Sequence, residues 1–316
     1  MNQTEYINQQ SNFWKTCEQL LSSGTDRSEL PETYRVLSHQ LAVAESRNYS
    51  PGLINYLQKL VLDYHSQLYR QRTNWFLSLW LFFYDTFPHS LRENYKIFAV
   101  AATLFFLPLI LTTTIIFFYP EYVYYFLSIE KLADIKDMYN PENAVLGRER
   151  AEDGDWYMFG FYLYNNTSIG FRTFAAGLLM GFGSVFFLLF NGVFIGVIAG
   201  YLISIGYSES FFSFVSGHSS FELIAIALSG AAGLMLGRSL INPGNLKRKL
   251  ALQQAAKLAM PLMQGAMSFF FIAAAIEAFW SSSQSTMFII KITVGIFLWL
   301  SIAGYFLFAG RNNLAK

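Results

Sequence analysis

Cysteine is nearly missing from these 316 residues. Cys17 stands alone, which excludes an intramolecular disulfide and any zinc site built from several cysteines. Charge is scarce as well, at 14% of residues against about 25% in ordinary soluble domains. The formal net charge of +1 leaves no basic excess, so nucleic acid is not an expected partner. The first 30 residues contain no apolar signal region, because Lys15, Glu18, Asp26, Arg27 and Glu29 are scattered through them. The amino terminus is therefore expected to stay uncleaved. No HExxH, P-loop or nucleophile-elbow pattern occurs, so nothing points to an enzyme and no cofactor is expected.

What is abundant is apolar sequence: 53% hydrophobic and 18% aromatic residues. Residues 173–208 run for 36 positions without a charged side chain. A helix of that length would reach roughly 54 Å, while a bilayer's hydrocarbon core is about 30 Å thick. The reading that follows is two membrane segments joined by a tight break, placed at Asn191-Gly192. The fold class expected is all-α: a polytopic helical membrane protein with about six spans and a Gly-rich hairpin. The spans are expected near 97–119, 169–190, 192–206, 219–240, 260–280 and 287–308.

Ahead of the membrane region, residues 1–71 read as a soluble three-helix domain. Apolar positions recur at helical spacing in Phe13, Trp14, Cys17 and Leu20, in Tyr34, Leu37, Leu41 and Ala44, and in Leu53, Leu57, Leu60 and Tyr64. Residues 72–96 carry a Trp- and Phe-rich run too short to cross a bilayer, bracketed by Arg70, Arg72, Arg92 and Lys96. That composition suits an elbow helix lying in the interface. The transmembrane domain then covers 97–310, including an acidic connection at 121–165 and a cationic amphipathic helix at 246–258. The cations Arg92, Lys96, Lys247, Arg248, Lys249, Lys257, Arg311 and Lys316, within it and on its flanks, favour a cytoplasmic location for both termini. A multi-pass protein of the inner (cytoplasmic) membrane, with the bilayer itself as a partner, is expected.

Two patterns within the spans are candidates for function. Glycines recur every four residues at Gly177 and Gly181, at Gly192, Gly196 and Gly200, and at Gly233 and Gly237. Such GxxxG stripes let helices approach closely, either within one chain or across a homodimer. Ionisable residues also lie inside or at the edge of spans: Arg172, His218, Glu222, Glu277 and Lys291. They read either as a buried polar cluster in the outer half of the bundle, with Glu277 meeting Lys291 across a hairpin, or as side chains snorkelling to headgroups. No metal is assigned to them.

Three blocks carry a family resemblance: NNTSIGFRTFAAGLLMGFGSVFFLLFNGVFIGVIAG (165–200), GHSSFELIAIALSGAAGLMLG (217–237) and AAAIEAFW (273–280). In content and order they resemble the stage II sporulation protein M family of membrane proteins. The family pattern falls here on Asn165, Asn166, Asn191, Gly192, Gly217, His218, Glu222 and Glu277, with Ser219 where glycine is frequent. The resemblance implies a non-enzymatic scaffold or partner subunit of a bacterial cell-envelope complex linked to peptidoglycan remodelling. It also implies other membrane or envelope proteins, and a MoxR-type ATPase, as partners. The alternative is a transporter or channel that uses the outer-half polar cluster. An intramembrane hydrolase would need His218 beside a nucleophile from another span.

Overall fold

The computed structural model describes residues 2–23, 30–68, 74–143, 145–148, 154–283 and 285–311. Arg70, Arg72, Lys316 and part of the acidic connection lie outside the described residues. The chain divides into two compact units, Met1–Leu77 and Ser78–Lys316, with the boundary inside the short helix α4 (Trp75–Leu81).

The first unit holds α1 (Gln3–Ser23), α2 (Leu30–Ser46) and α3 (Pro51–Leu68). A reciprocal pair starts α1: Asn2 Oδ1 accepts from the Glu5 backbone N–H at 2.9 Å, and the Asn2 N–H donates to Glu5 Oε2 at 3.1 Å. Two orphan donors are thereby satisfied at once. Asn48, at φ 51°, takes the left-handed conformation between α2 and α3, and Pro51 opens α3 where its missing N–H costs nothing. The apolar stripes close on one core containing Cys17, Leu37, Leu57 and Tyr64. Its polar atoms are paired: the Trp14 indole donates to Gln40 Oε1 at 2.6 Å, and the Tyr64 hydroxyl to the Cys17 carbonyl at 3.1 Å.

In the second unit, α4 leads through a π-helical turn (Phe82–Thr86) into α5 (Phe87–Glu93), and Asn94 breaks the helix before α6 (Tyr95–Phe118). Trp75, Phe76, Leu79 and Trp80 are exposed, whereas Phe87 is fully buried. Phe87 anchors the elbow by ring contacts to Phe269 and Phe306 at 5.7 and 5.5 Å, in a space that Gly265 leaves open. After α6 come a 3-10 turn (Pro120–Tyr125), α7 (Ile129–Met138), α8 (Gly154–Ala175), α9 (Phe182–Ser204) and α10 (Ser208–Val215). Helices α11 (Ser219–Ile241), α12 (Arg248–Ile276, with a π-helical end Glu277–Ser281) and α13 (Phe288–Phe308) complete it.

Among the described residues, five helices are long and apolar enough to cross a membrane: α6, α9, α11, α12 with its π end, and α13. Helix α8, 22 residues long, also has membrane-spanning length at about 1.5 Å per residue but carries more polar side chains. Helix α11 is the hub. Its run of Ala225, Ala227, Ala231, Ala232 and Gly233 is buried, so α6, α8, α9 and α12 approach it closely.

The hairpin turn lies elsewhere than at Asn191-Gly192. Helix α9 passes straight through both residues, and the chain reverses at 176–181 through a 3-10 turn, with Met180 at φ 54° and Gly181 at φ 85°. Asn191 stays helical because its Nδ2 donates to the Phe187 carbonyl at 2.7 Å. Gly192 serves close approach instead of reversal: a Cβ there would lie 2.3 Å from the Phe105 carbonyl oxygen of α6. The expected span at 169–190 therefore dissolves into the end of α8, the turn, and the start of α9. The cationic stretch 246–258 is likewise no separate helix; it is the first part of α12, which continues through Pro261.

All seven glycines of the spacing pattern meet other parts of the same chain. A Cβ on Gly177 or Gly233 would fall 2.1 or 2.2 Å from Gly233 O and Ser184 Oγ, and one on Gly237 would fall 2.3 Å from the Gly181 backbone. Gly196 and Gly200 face Leu109, Thr112, Thr113 and Ile116 of α6, and Gly181 has only Gly237 and Leu234 nearby. Since 192, 196 and 200 meet 105, 109–112 and 113–116 in order, α6 and α9 run parallel.

Candidate functional site

The π-helical end of α12 and the entry to α11 build the site. Gly217, just before α11, leaves room for the Trp280 ring; a Cβ there would lie 2.4 Å from it. This contact brings His218 to the π turn, where its Nδ1 lies 3.0 Å from Ser281 Oγ. One helical turn later Glu222 faces the same side, its Oε2 3.8 Å from His218 Nε2. Glu277 joins from α12: ligating atoms of His218, Glu222 and Glu277 all lie within 4.8 Å of one another. From α8, Asn166 donates through Nδ2 to Glu277 Oε2 at 3.4 Å, and its own Oδ1 accepts from Asn165 Nδ2 at 3.0 Å. His218, Glu277 and Asn166 are buried, and the Glu222 side chain is only 18% exposed.

Two of the expected cluster members stand apart. Lys291 is fully buried, yet its Nζ donates to the carbonyls of Ser281 and Ser283 at 2.7 and 2.5 Å and lies 5.8 Å from the Trp280 ring. It does not ion-pair with Glu277. The reason is geometric: the π turn exposes carbonyls that a short hairpin presents to the first turn of α13, and an ammonium satisfies them. Arg172 is exposed on α8, with its Nε donating to the Ser168 carbonyl at 3.1 Å. Asn191 sits midway along α9, not at a turn.

Two cavities meet at the carboxylates. One, of about 440 Å³, is lined by Asn165, Asn166, Arg172, Asn191, Glu222 and Glu277. The other, of about 490 Å³ and mostly apolar, reaches His218, Glu222 and Glu277 past Phe194, Ile195 and Trp299. Tyr139, beyond the end of α7, borders both. Burial, with Glu277, Tyr162 and Glu222 adding to it, pushes the Tyr139 phenol above its usual range. Its ring stays a neutral hydroxyl at the mouth, edge-on to Phe211 and Phe214 at 5.6 Å.

Asn166 and Ser281 are the members that charge-based reading misses, since neither is ionisable. The Asn165-Asn166 pair does stand in the resemblance, but only the fold shows that the second Asn turns inward. Ser281 is one of three consecutive serines, Ser281 to Ser283, and nothing in the sequence separates it from the other two.

With this geometry in place, the chain can be set beside known proteins. Residues 101–282 match the family described as Stage II sporulation protein M. Residues 4–70 match a domain of unknown function, DUF8413. No curated protein and no solved structure matches the chain. The family match spans more than half of the 316 residues and contains α9, α11, α12 and every member of the buried cluster. The chain therefore belongs to the stage II sporulation protein M family.

Proposed function

We propose that this protein is a non-enzymatic, multi-pass component of the inner (cytoplasmic) membrane that serves as scaffold or partner subunit of an envelope complex. The observation that carries this reading is the division into two units: a helical membrane unit and a separate three-helix unit with its own core. The glycine surfaces of the membrane unit are used within the chain, which leaves the first unit as the natural docking part. Other membrane or envelope proteins are the proposed partners, with a MoxR-type ATPase on the cytoplasmic side.

Orientation follows from charge. Arg92 and Lys96 flank the start of α6, Lys247, Arg248 and Lys249 the start of α12, and Arg311 follows the end of α13, where Arg92 Nη1 donates to the Phe306 carbonyl at 3.2 Å. The other end of the membrane unit joins Leu146 to Ser282 and Ser210 to Tyr139, and is rich in acids such as Glu130, Asp134, Asp137 and Glu142. The basic end faces the cytoplasm. With α8 counted as a crossing, six spans bring both termini to that side.

The test is co-purification from cross-linked native membranes, comparing the full chain with one lacking residues 1–77. Partner bands that depend on 1–77 support the reading; a full chain that migrates alone refutes it. A second reading, solute passage, is favoured by the two cavities that meet at Glu222 and Glu277. The double substitution Glu222→Gln and Glu277→Gln separates the two: a scaffold keeps its partners, and a transporter loses flux in proteoliposomes.

A further inference from the structure

We infer that His218, Glu222 and Glu277 form a binding site for one divalent transition-metal ion, with nitrogen and oxygen ligands and a position left open toward the cavities. The inference is independent of whether the protein is a scaffold or a transporter.

The His218 ring shows the strongest reason. It is 4% exposed, and its Nδ1 is engaged with Ser281 Oγ at 3.0 Å. That contact leaves Nε2 aimed into the cluster, 3.8 Å from Glu222 Oε2 and too far from it for a hydrogen bond. The gap between a ring nitrogen and a carboxylate oxygen is wider than a shared proton spans, and a metal ion between them would bind both.

Charge balance gives the second reason. Two carboxylates converge here, and no lysine or arginine among the described residues forms a salt bridge with either; Arg148, held over the Phe161 ring at 4.7 Å, acts on Glu277 only across the cavity. Lys291 is committed to two carbonyls and Arg172 to a third. Buried negative charge without a counter-ion is strongly disfavoured, and a divalent cation neutralises two carboxylates at once.

The surroundings have the form of an outer shell that orients ligands. Ser281 holds the His218 ring angle through Nδ1, and Asn166, itself held by Asn165, steers one oxygen of Glu277. Among the described residues the Glu222 carboxylate has only the 3.8 Å contact with His218, which makes it the ligand freest to adjust. Metal–ligand distances of about 2.0–2.2 Å place ligand atoms about 3.3–3.6 Å apart at tetrahedral angles. Separations of up to 4.8 Å must therefore contract by about 1.2–1.5 Å at the widest pair, a change within the reach of the Glu222 side chain's torsions. A mixed His and carboxylate set suits zinc, manganese or cobalt over calcium or magnesium, which prefer all-oxygen cages.

The experiment uses the full chain, purified in detergent through a tag without histidine, stripped with chelator and titrated with Co²⁺. Visible absorption and elemental analysis are read together. The expected result is about one Co²⁺ per chain, displaced by Zn²⁺. Glu277→Gln and His218→Ala should weaken uptake at least about 100-fold, and Ser281→Ala about 10- to 100-fold. Lys257→Gln, on the exposed face of α12, should leave it unchanged. Failure of the unmodified protein to take up Co²⁺ overturns the inference without any question of variant folding. Uptake retained in the Glu222→Gln, Glu277→Gln double variant overturns it too, by showing that the metal sits elsewhere.

Discussion

Replacing Gly192 by alanine should destabilise the membrane unit, whereas the same change at Gly304 should stabilise it, although both glycines are helical. At Gly192 the added Cβ would lie 2.3 Å from the Phe105 carbonyl oxygen, against 3.4–4 Å for ordinary contact. Helices α6 and α9 must separate by about 1 Å, and a backbone atom cannot swing aside as a flexible side chain would. Overpacking of this kind costs about 3 kcal/mol at its upper end, and the better helix propensity of alanine returns about 1, leaving a net loss of about 2 kcal/mol. Gly304 has nothing within 4 Å of the same position, so only the propensity gain of about 0.5–1 kcal/mol remains. For a unit of this size about 1 kcal/mol corresponds to about 2–4 °C in Tm. The expected shifts are a fall of about 4–8 °C for Gly192→Ala and a rise of about 1–4 °C for Gly304→Ala, scaled from those same values. Thermal unfolding in one detergent, followed by intrinsic fluorescence, measures both. Equal shifts at the two sites would refute the claim that the α6–α9 contact is made by backbones in direct touch.

Gly181, at φ 85° in the reversal before α9, should lose about 1–2 kcal/mol on substitution by valine, while Met180→Gly at φ 54° should be neutral or stabilising; urea unfolding of the two variants tests the pair. Lys291→Met should cost about 2–4 kcal/mol, because two carbonyls in the Ser281–Ser283 turn lose a charged donor, and the fall in Tm should be recovered in part by Lys291→Arg. Cys17 is the only thiol and is buried, and burial raises its pKa. Folding thus holds the proton at pH values where an unfolded thiol would lose it. Its stabilising share is complete below about pH 8.5 and is lost as pH rises through the folded value. Ellman's reagent at pH 8 should react with the native chain only as fast as the first unit opens, and rapid stoichiometric labelling would show that the Cys17 environment is wrong.

Periodicity made much of the architecture legible. The stripes through Leu37, Leu57 and Tyr64 lie in the first core as their spacing requires, and the long apolar segments at 97–119, 219–240 and 287–308 correspond to α6, α11 and α13 within a few residues. What failed was punctuation inside an uncharged run. Asn191-Gly192 has the composition of a turn, and so do Gly177 through Gly183, and only tertiary contact chooses between them. Gly192 is needed where α9 touches α6, so it stays helical; Gly177 and Gly181 are needed where the reversal touches α11, so the chain bends there. The same ambiguity hid the length of α12. Lys247 to Lys257 look like the end of a surface helix, but α12 runs on through Pro261. In the site, charge and helical spacing linked His218 to Glu222, because four residues make one turn. They also suggested a Glu277–Lys291 pair, because opposite charges across a short hairpin attract. The π turn overrode that attraction by presenting the Ser281 and Ser283 carbonyls first.

The position of the reversal also decides whether Asn166 reaches the cluster. Were the turn at Asn191-Gly192, residues 169–190 would form one arm, and Asn166 would lie beyond its start, in the connection outside the helices. With the turn at 176–181, α8 is a helix in its own right, and Asn166 falls about two and a half turns before the reversal, facing α11 and α12. That register sets its amide against Glu277 and lets Thr173 and Gly170 pack flush with the hub. Asn165 and Asn166 add to the polar side chains that make α8 the least apolar of the membrane unit's helices of spanning length. Gly177 and Gly181 thus act on the site from a distance, by fixing where α8 ends. A bulky residue at Gly177 should loosen the Asn166–Glu277 contact and weaken Co²⁺ uptake without touching any ligand. Unchanged uptake in a folded Gly177→Val variant would show that the cluster is assembled by α11 and α12 alone.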